Sequence, residues 1–443
     1  MRPPKAAAAW VAAAAALLAV PAVACGAEPA VGELANGLRY CVVPRPGSAL
    51  TAIDVWVRAG SAYEGPNEAG AAHLLEHMIF KGTPTRGPGG VDLALENMGG
   101  VLSAGTLRGF AHFHTVVEGR HVREALGVIT DALRHPTLDA VEMERERRVV
   151  LAELARRAND GGVAAADAVW AGLFAGSPLA SPPSGAVAGI GSLTPEALRR
   201  FHSRLYRPDA VCVAMAGGTA PPAATEALEA SLGDWAKPAE PAPAPPSVPG
   251  RDQLLPRAAA NPIGVAVRSG PEGRVWFAAG FALSDGASDL CDRMLALLAA
   301  DPAVGRMAQA ATTAVTGGVS VETSVIAGHS VTVICGADDG PMGASPLAAI
   351  RTTLQGIVDR PPDAAEVAGI RARLLGLRLF ELETCAGSVR AAGLNLALGR
   401  PVNDLSLRQG SSAVTGAQIA ARAAEWLTKA VRAEAVAHSE AAP

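Results

Sequence analysis

A histidine–glutamate–histidine pattern in His73-Leu74-Leu75-Glu76-His77 is the part of this sequence best suited to chemistry. On a helix, His73 and His77 share one face about one turn apart, so their imidazoles can hold a single zinc ion. Glu76 borders that face, where a carboxylate can take a proton from a water molecule on the metal. The pattern therefore predicts a zinc site that activates water.

A third protein ligand is expected, because catalytic zinc sites use three protein ligands and leave a fourth position for water. Candidate glutamates stand at positions 142, 144, 146 and 153 of a second helical stretch, and spacing alone does not choose among them. Glu146 and Glu153 are two helical turns apart and face the same way. Glu153 lies among the most apolar neighbours, so its carboxylate has the greatest need of a partner such as a metal.

Composition bounds the class of protein. The chain has 443 residues, of which 49% are hydrophobic and 18% charged, which is typical of a globular protein long enough for two domains. The net charge of −4 shows no basic excess. We therefore expect no nucleic-acid partner, because phosphate binding needs clustered Lys and Arg.

Residues 1–24 are typical of an export signal: a positively charged start, an apolar stretch and an Ala22-Val23-Ala24 cleavage site. No later apolar run reaches the ~20 residues that a membrane helix needs. We expect a periplasmic or secreted protein. Cys25 follows the cleavage site and leaves open a lipoprotein tethered there, so a membrane is a partner only if Cys25 is lipidated.

The six cysteines are scattered, without a C-x-x-C pattern, and do not indicate metal ligands. Cys41 and Cys212 both fall in strand-like runs and form the pair to test for a disulfide. Buried free thiols are the favoured interpretation.

Strand and helix patterns occur in a similar order in two halves of the chain. Residues 28–236 form a first αβ unit, with a helix expected near 68–80 and longer helices at 121–134 and 139–158. Residues 237–258 form a Pro-rich linker, and residues 259–443 form the second unit, including a long helical stretch at 363–398. The order predicts a duplicated α+β fold. Each unit is an antiparallel-rich sheet with helices packed on one face.

The surroundings of the histidine motif resemble the pitrilysin/insulinase family, zinc metallopeptidases that carry H-x-x-E-H. Gly60-Ser61-Ala62-Tyr63-Glu64, the stretch from Gly70 to Thr83, and Tyr206-Arg207-Pro208-Asp209-Ala210 all look like family segments. The chain looks most like the bacterial branch akin to the mitochondrial processing peptidase. The resemblance implies two homologous halves around a chamber, a second half without a metal site, and peptides or unfolded segments as substrates.

The resemblance also implies roles for individual residues. His73, His77 and Glu153 become the ligands of one Zn²⁺ per chain, and Glu76 becomes the general base. Glu153 ends the E-R-x-V-(V/I)-x-x-E stretch in which the family places its third ligand. Glu146, at the start of that stretch, matches a glutamate that supports the site without binding zinc.

Two departures from the family concern the holding of substrate. Ser103 stands where the family has Asn in Gly-Gly-x-x-Asn-Ala-x-Thr, although Ser103, Ala104 and Thr106 still form an edge strand able to pair with a peptide. The family's second half supplies an Arg and a Tyr. Arg306 is a weak candidate for that Arg, but the only tyrosines, at positions 40, 63 and 206, all lie in the first half.

The missing tyrosine leads us to expect a partner, namely a zinc-less homologous subunit that supplies the Arg/Tyr pair. The alternatives are a non-catalytic or weakly active zinc-binding assembly subunit, or a peptide-binding module, of a hetero-oligomer. His112 and His114 alternate along a predicted strand and so share a face. We interpret these two histidines as residues of a half-exposed strand face, in preference to residues that line the cleft.

Overall fold

The computed structural model describes residues 28–244, 262–267, 274–283, 289–309, 319–326, 329–338, 346–402 and 405–439. The expected export signal, Cys25 and most of the Pro-rich linker lie outside these ranges. Within them, no helix is both long enough and apolar enough to cross a membrane.

The first half contains six strands and eight α-helices among its described residues. The strands are β1 (Ala30–Glu33), β2 (Arg39–Pro44), β3 (Leu50–Val57), β4 (Ser103–Thr106), β5 (Ala111–Glu118) and β6 (Val211–Gly217). The helices are α1 (Ala71–Ile79), α2 (Gly90–Glu96), α3 (Val122–Arg134), α4 (Ala140–Arg157), α5 (Gly161–Leu173), α6 (Val187–Ser192), α7 (Pro195–Leu205) and α8 (Pro221–Leu232).

The described part of the second half contains five strands and seven helices. The strands are β7 (Ile263–Val267), β8 (Val275–Leu283), β9 (Val319–Ile326), β10 (His329–Asp338) and β11 (Val431–Ser439). The helices are α9 (Asp289–Ala300), α10 (Arg306–Gln309), α11 (Pro346–Asp359), α12 (Ala364–Glu381), α13 (Cys385–Ala397), α14 (Leu405–Ala413) and α15 (Gly416–Thr428).

The helical stretch expected at 363–398 is two helices, α12 and α13, so that prediction is wrong in one respect. Thr384 has an extended backbone, and its side chain accepts a hydrogen bond from the N–H of Gly387. A threonine in this position starts a new helix, because it satisfies an N–H group that has no partner within the helix.

The two sheets share one topology. The first has the strand order β1-β2-β6-β3-β5-β4, and the second has β7-β11-β8-β10-β9. When β1 is set aside, both sheets have their strands in the same order. In each, the first and last strands of the half pair in parallel, and the described neighbours are otherwise antiparallel. The predicted duplicated α+β fold is confirmed.

The prediction placed helices on one face of each sheet. In the structure, one helix of each half also packs on the sheet of the other half. The first sheet packs one face on its own helices, through Val55 and Phe113. Its other face packs Trp56 against Val389 and Ala392 of α13, a helix of the second half. Reciprocally, α5 of the first half packs on the second sheet. Each sheet is therefore covered on both faces, and the halves share two cores.

Glycine permits the close approach at both helices that pack on the sheet of the other half. A Cβ atom at Gly393 of α13 would overlap the indole Nε1 of Trp56, and one at Gly280 of β8 would overlap the side chain of Val169 in α5. Helix and sheet therefore contact each other at a shorter distance than any larger residue allows.

The five described cysteines are free, and Cys41 and Cys212 are buried beneath α13. The favoured interpretation of these two as buried free thiols is confirmed.

Candidate metal centre and active site

The helix that carries the two histidines begins under a carboxylate cap. Gly70 precedes α1 with φ of 86°, a left-handed conformation that favours glycine. The carboxylate of Glu64 accepts hydrogen bonds from the backbone N–H groups of Gly70, at 2.9 Å, and Ala72, at 3.0 Å. Two N–H groups at the helix start are thereby satisfied.

Burial raises the pKa of Glu64 to about 7, and the two N–H bonds act in the opposite direction. Sequence reasoning assigned Glu64 no role beyond the family segment. An acidic residue shortly before a predicted helix start is the signal that indicates such a cap.

Three side chains converge between α1 and α4. Oε2 of Glu153 lies 3.7 Å from Nε2 of His73 and 3.8 Å from Nε2 of His77, and the three ligand atoms lie within 4.8 Å of one another. Tetrahedral zinc with ligands at about 2.1 Å separates ligand atoms by about 3.4 Å. The spacing therefore fits a zinc ion after small side-chain adjustments.

Hydrogen bonds on the far side of each ring orient the two imidazoles. Nδ1 of His73 lies 3.1 Å from the carbonyl oxygen of Ser184, and Nδ1 of His77 lies 3.1 Å from Oε2 of Glu146. Since both partners only accept, each Nδ1 carries the hydrogen and each Nε2 presents a lone pair towards Glu153. Burial, followed by the neighbouring His77, lowers the pKa of His73 and favours the neutral ring that a metal requires.

Glu146 lies beside the converging donors and is not one of them. Its Oε1 lies 2.9 Å from Nζ of Lys81, while its Oε2 accepts from His77. The structure thus places His73 and His77 of α1 opposite Glu146 and Glu153 of α4. Ser184 was not found from sequence, because a backbone carbonyl leaves no signature in residue type.

Glu76 lies one residue before His77, in a cleft of about 270 Å³. The cleft is lined by Glu76, His77, Phe80, Lys81, Asp92, Leu102, Ala104 and Glu146. Oε2 of Glu76 accepts a hydrogen bond from the hydroxyl of Thr106 at 3.1 Å. Burial raises the pKa of Glu76, and His77, Thr106 and His112 oppose that rise. A carboxylate with a raised pKa is a suitable general base near neutral pH.

The predicted substrate-binding strand is β4, which lies at the edge of the first sheet. Because side chains alternate along a strand, Ala104 and Thr106 point to the cleft while Ser103 points to the opposite face. Ala104 lines the cleft, and Ser103 is exposed directly across from His114 of β5. The three residues predicted together are therefore divided between two faces.

Arg306, the weak candidate for a substrate-holding arginine, forms its hydrogen bonds within the second half. Its guanidinium donates to both carboxylate oxygens of Glu366 at 3.0 Å, and to the carbonyl oxygens of Gly356 and Arg360. These bonds occupy all three nitrogens. Arg306 therefore joins α10 to the ends of α11 and α12. Its ion pair with Glu366 joins residues 60 positions apart, so sequence spacing could not reveal it.

Two family models match parts of the chain. Residues 42–184 match the model of the insulinase family, peptidase family M16, and residues 192–271 match that of the peptidase M16 inactive domain. These two matches place residues 42–184 in the insulinase family, peptidase family M16, followed by a match to the inactive domain of that family.

Individual curated relatives match about two fifths of the chain. An uncharacterized zinc protease of Mycobacterium tuberculosis is 36% identical over 184 residues, which cover 42% of each chain. The mitochondrial-processing peptidase subunit beta of Dictyostelium discoideum is 33% identical over 191 residues, 43% of this chain and 40% of that one. The matches thus span about two fifths of the length of these curated relatives.

Solved structures share the fold over nearly the whole chain. A protease from Helicobacter pylori superposes with a TM-score of 0.82 at 18% identity, covering 93% of this chain and 99% of that one. A peptidase M16 inactive domain from Pseudomonas fluorescens gives a TM-score of 0.81 at 19% identity, with coverages of 94% and 99%. At these identities the likeness concerns the fold.

Proposed function

We propose that this protein is a zinc-dependent endopeptidase that hydrolyses peptides or unfolded segments. The convergence of His73 Nε2, His77 Nε2 and Glu153 Oε2 carries the proposal, since both imidazoles are oriented by acceptors behind them. Matches to relatives named as zinc proteases support it.

In this mechanism, His73, His77 and Glu153 would hold a zinc ion, which would supply Lewis acidity and lower the pKa of water towards neutrality. Glu76 takes a proton from the attacking water, whose oxygen bonds to the scissile carbonyl carbon. As the C–N bond breaks, Glu76 returns that proton to the leaving amine. Thr106 holds the Glu76 carboxylate through its hydroxyl. The free edge of β4 aligns the peptide by backbone hydrogen bonds.

A zinc-less homologous chain is the partner that we propose for this subunit. The sequence has no tyrosine in its second half, and Arg306 is engaged with Glu366. A relative named as a processing-peptidase subunit supports pairing. On the basis of the expected export signal at residues 1–24, we propose that the pair works in the periplasm or outside the cell. A lipid on Cys25 that tethers this chain to a membrane is the alternative to free release.

A non-catalytic assembly subunit that keeps zinc for stability is the second candidate, and the missing tyrosine favours it. Glu76→Gln separates the two, because it removes the base and leaves the three metal ligands. We expect both forms to bind one equivalent of zinc. Only the wild type should cleave a quenched, unstructured fluorogenic peptide. Equal rates for the two forms, alone and with the zinc-less chain, would reject the endopeptidase.

A further inference from the structure

The face of β4 and β5 that lies opposite the zinc cleft is polar and partly open. Ser103 and Gly105 of β4 pair with His114 and His112 of β5, and directly paired residues of an antiparallel ladder share a face. Ser103 is exposed, His114 is half-buried and His112 is buried. This face lies beside the free edge of β4, where a peptide would add as a further strand.

The second half of the chain contributes a guanidinium to this face. Arg390 of α13 is exposed, and its Nη2 lies 3.4 Å from Nε2 of His112. Because a guanidinium only donates, Nε2 of His112 accepts, and the hydrogen of that ring lies on Nδ1. This Nδ1 faces Oδ1 of Asp54 at 3.5 Å. Asp54 is fully buried, and this contact is an ion-pair distance without a hydrogen bond.

Arg390 keeps most of its donor capacity. A guanidinium has five N–H donors, and the bonds seen among the described residues use one of them. Its positive charge also acts on His114, whose pKa is lowered first by burial, with Arg390 contributing. An anion placed between Ser103, His114 and Arg390 would therefore meet the remaining donors of the guanidinium and an exposed hydroxyl.

Side chains of a peptide paired with β4 alternate between the two faces. Those level with Ala104 and Thr106 point to the zinc cleft. Those level with Ser103 and Gly105 point to the opposite face, which carries His112, His114 and Arg390. We propose that Arg390, Ser103 and His114 form a subsite that takes an acidic side chain of the bound peptide. Charge-assisted carboxylate–guanidinium bonds supply the recognition. The inference rests on the proposed peptide substrate and assigns one determinant of its sequence.

The test uses quenched fluorogenic peptides in which each position in turn is Glu, Gln or Lys. With the full chain, we expect Glu to exceed Gln at one position by roughly tenfold in kcat/KM, mostly through KM. Arg390→Gln should abolish this preference, and Arg390→Glu should turn it towards Lys. Arg120→Gln is the matched control, since Arg120 is an exposed arginine beyond the opposite end of β5.

Binding by the Glu76→Gln chain separates this subsite from the activity. Fluorescence anisotropy of the labelled Glu and Gln peptides, with and without Arg390→Glu, reads the preference without turnover. Thermal unfolding reports whether each variant is folded. The same affinity for Glu and Gln peptides in the folded Glu76→Gln chain overturns the subsite. A preserved preference with no cleavage by the wild type supports the subsite and rejects the endopeptidase.

Discussion

Glu146 links His77, a proposed zinc ligand, to Lys81 just beyond the end of α1: its Oε2 accepts from Nδ1 of His77 at 3.1 Å and its Oε1 pairs with Nζ of Lys81 at 2.9 Å. The carboxylate is buried, so each oxygen has a defined partner. His77 is thereby fixed in ring orientation and tautomer before any metal binds.

Replacing Glu146 should weaken zinc binding without removing a ligand. Glu146→Ala leaves Nδ1 of His77 without its acceptor, and we expect zinc affinity to fall by about 10- to 100-fold. Glu146→Gln keeps an acceptor oxygen and should lose less. Competition with a chromophoric chelator measures both. Unchanged affinity in Glu146→Ala would show that His77 is oriented by other contacts.

Thr106 should control turnover more than substrate affinity. Thr106→Val keeps the shape of the side chain and removes the hydroxyl that donates to Glu76, while the backbone edge of β4 remains. We expect kcat to fall about tenfold with little change in KM, as for the loss of one hydrogen bond to a charged group. Thr106→Ser should restore kcat. A rise in KM with constant kcat would instead indicate a role in holding peptide.

Glu64 should stabilise the helix that carries the histidines. Glu64→Ala removes the acceptor of the N–H groups of Gly70 and Ala72. We expect a loss of about 1–2 kcal/mol in the free energy of unfolding, the range measured for helix caps. Urea unfolding at pH 6 measures it. Glu118→Ala, at an exposed glutamate beyond this helix, is the control and should change little.

The same residue predicts a pH dependence. The pKa of Glu64 is raised from 4.5 to about 7 in the folded chain, so the folded state holds the proton more tightly than the unfolded state. Its contribution is complete below pH 4.5 and is lost as the pH rises through 7, by up to about 3 kcal/mol. Stability relative to Glu64→Gln should therefore decline between pH 4.5 and 7. A rise over that interval would mean that the two N–H bonds outweigh burial.

Gly393 should be intolerant of a methyl group. A Cβ atom there would overlap Trp56, so Gly393→Ala must displace α13 from the first sheet, and we expect a loss of about 1–3 kcal/mol. Gly376 of α12 is the matched control, because a Cβ there meets no atom within 4 Å. Gly376→Ala should stabilise the chain by about 0.5–1 kcal/mol. Similar melting temperatures for the two variants would contradict the close approach.

The sequence pattern alone predicted the features of this protein that depend on residues close together in the chain. The four-residue spacing of His73 and His77 predicts their shared face, because a helical turn fixes that geometry over a few residues. The strand and helix order likewise predicts the duplicated α+β fold. Spacing alone does not choose among the four glutamates; the apolar neighbours of Glu153 favour it, and the family resemblance points to the same residue.

Tertiary structure decided what depends on residues far apart in sequence. Alternation along β4 places Ser103 and Thr106 on opposite faces. The register of β4 against β5 decides which of them faces the cleft, and a one-residue shift would exchange their faces. The crossing of α13 onto the first sheet brings Arg390 to His112, and the ion pair with Glu366 engages Arg306 within the second half. The spacing of residues within one element specifies neither packing nor register between elements. The sequence therefore determined the helix of the proposed zinc site, and the folded chain determined what surrounds it.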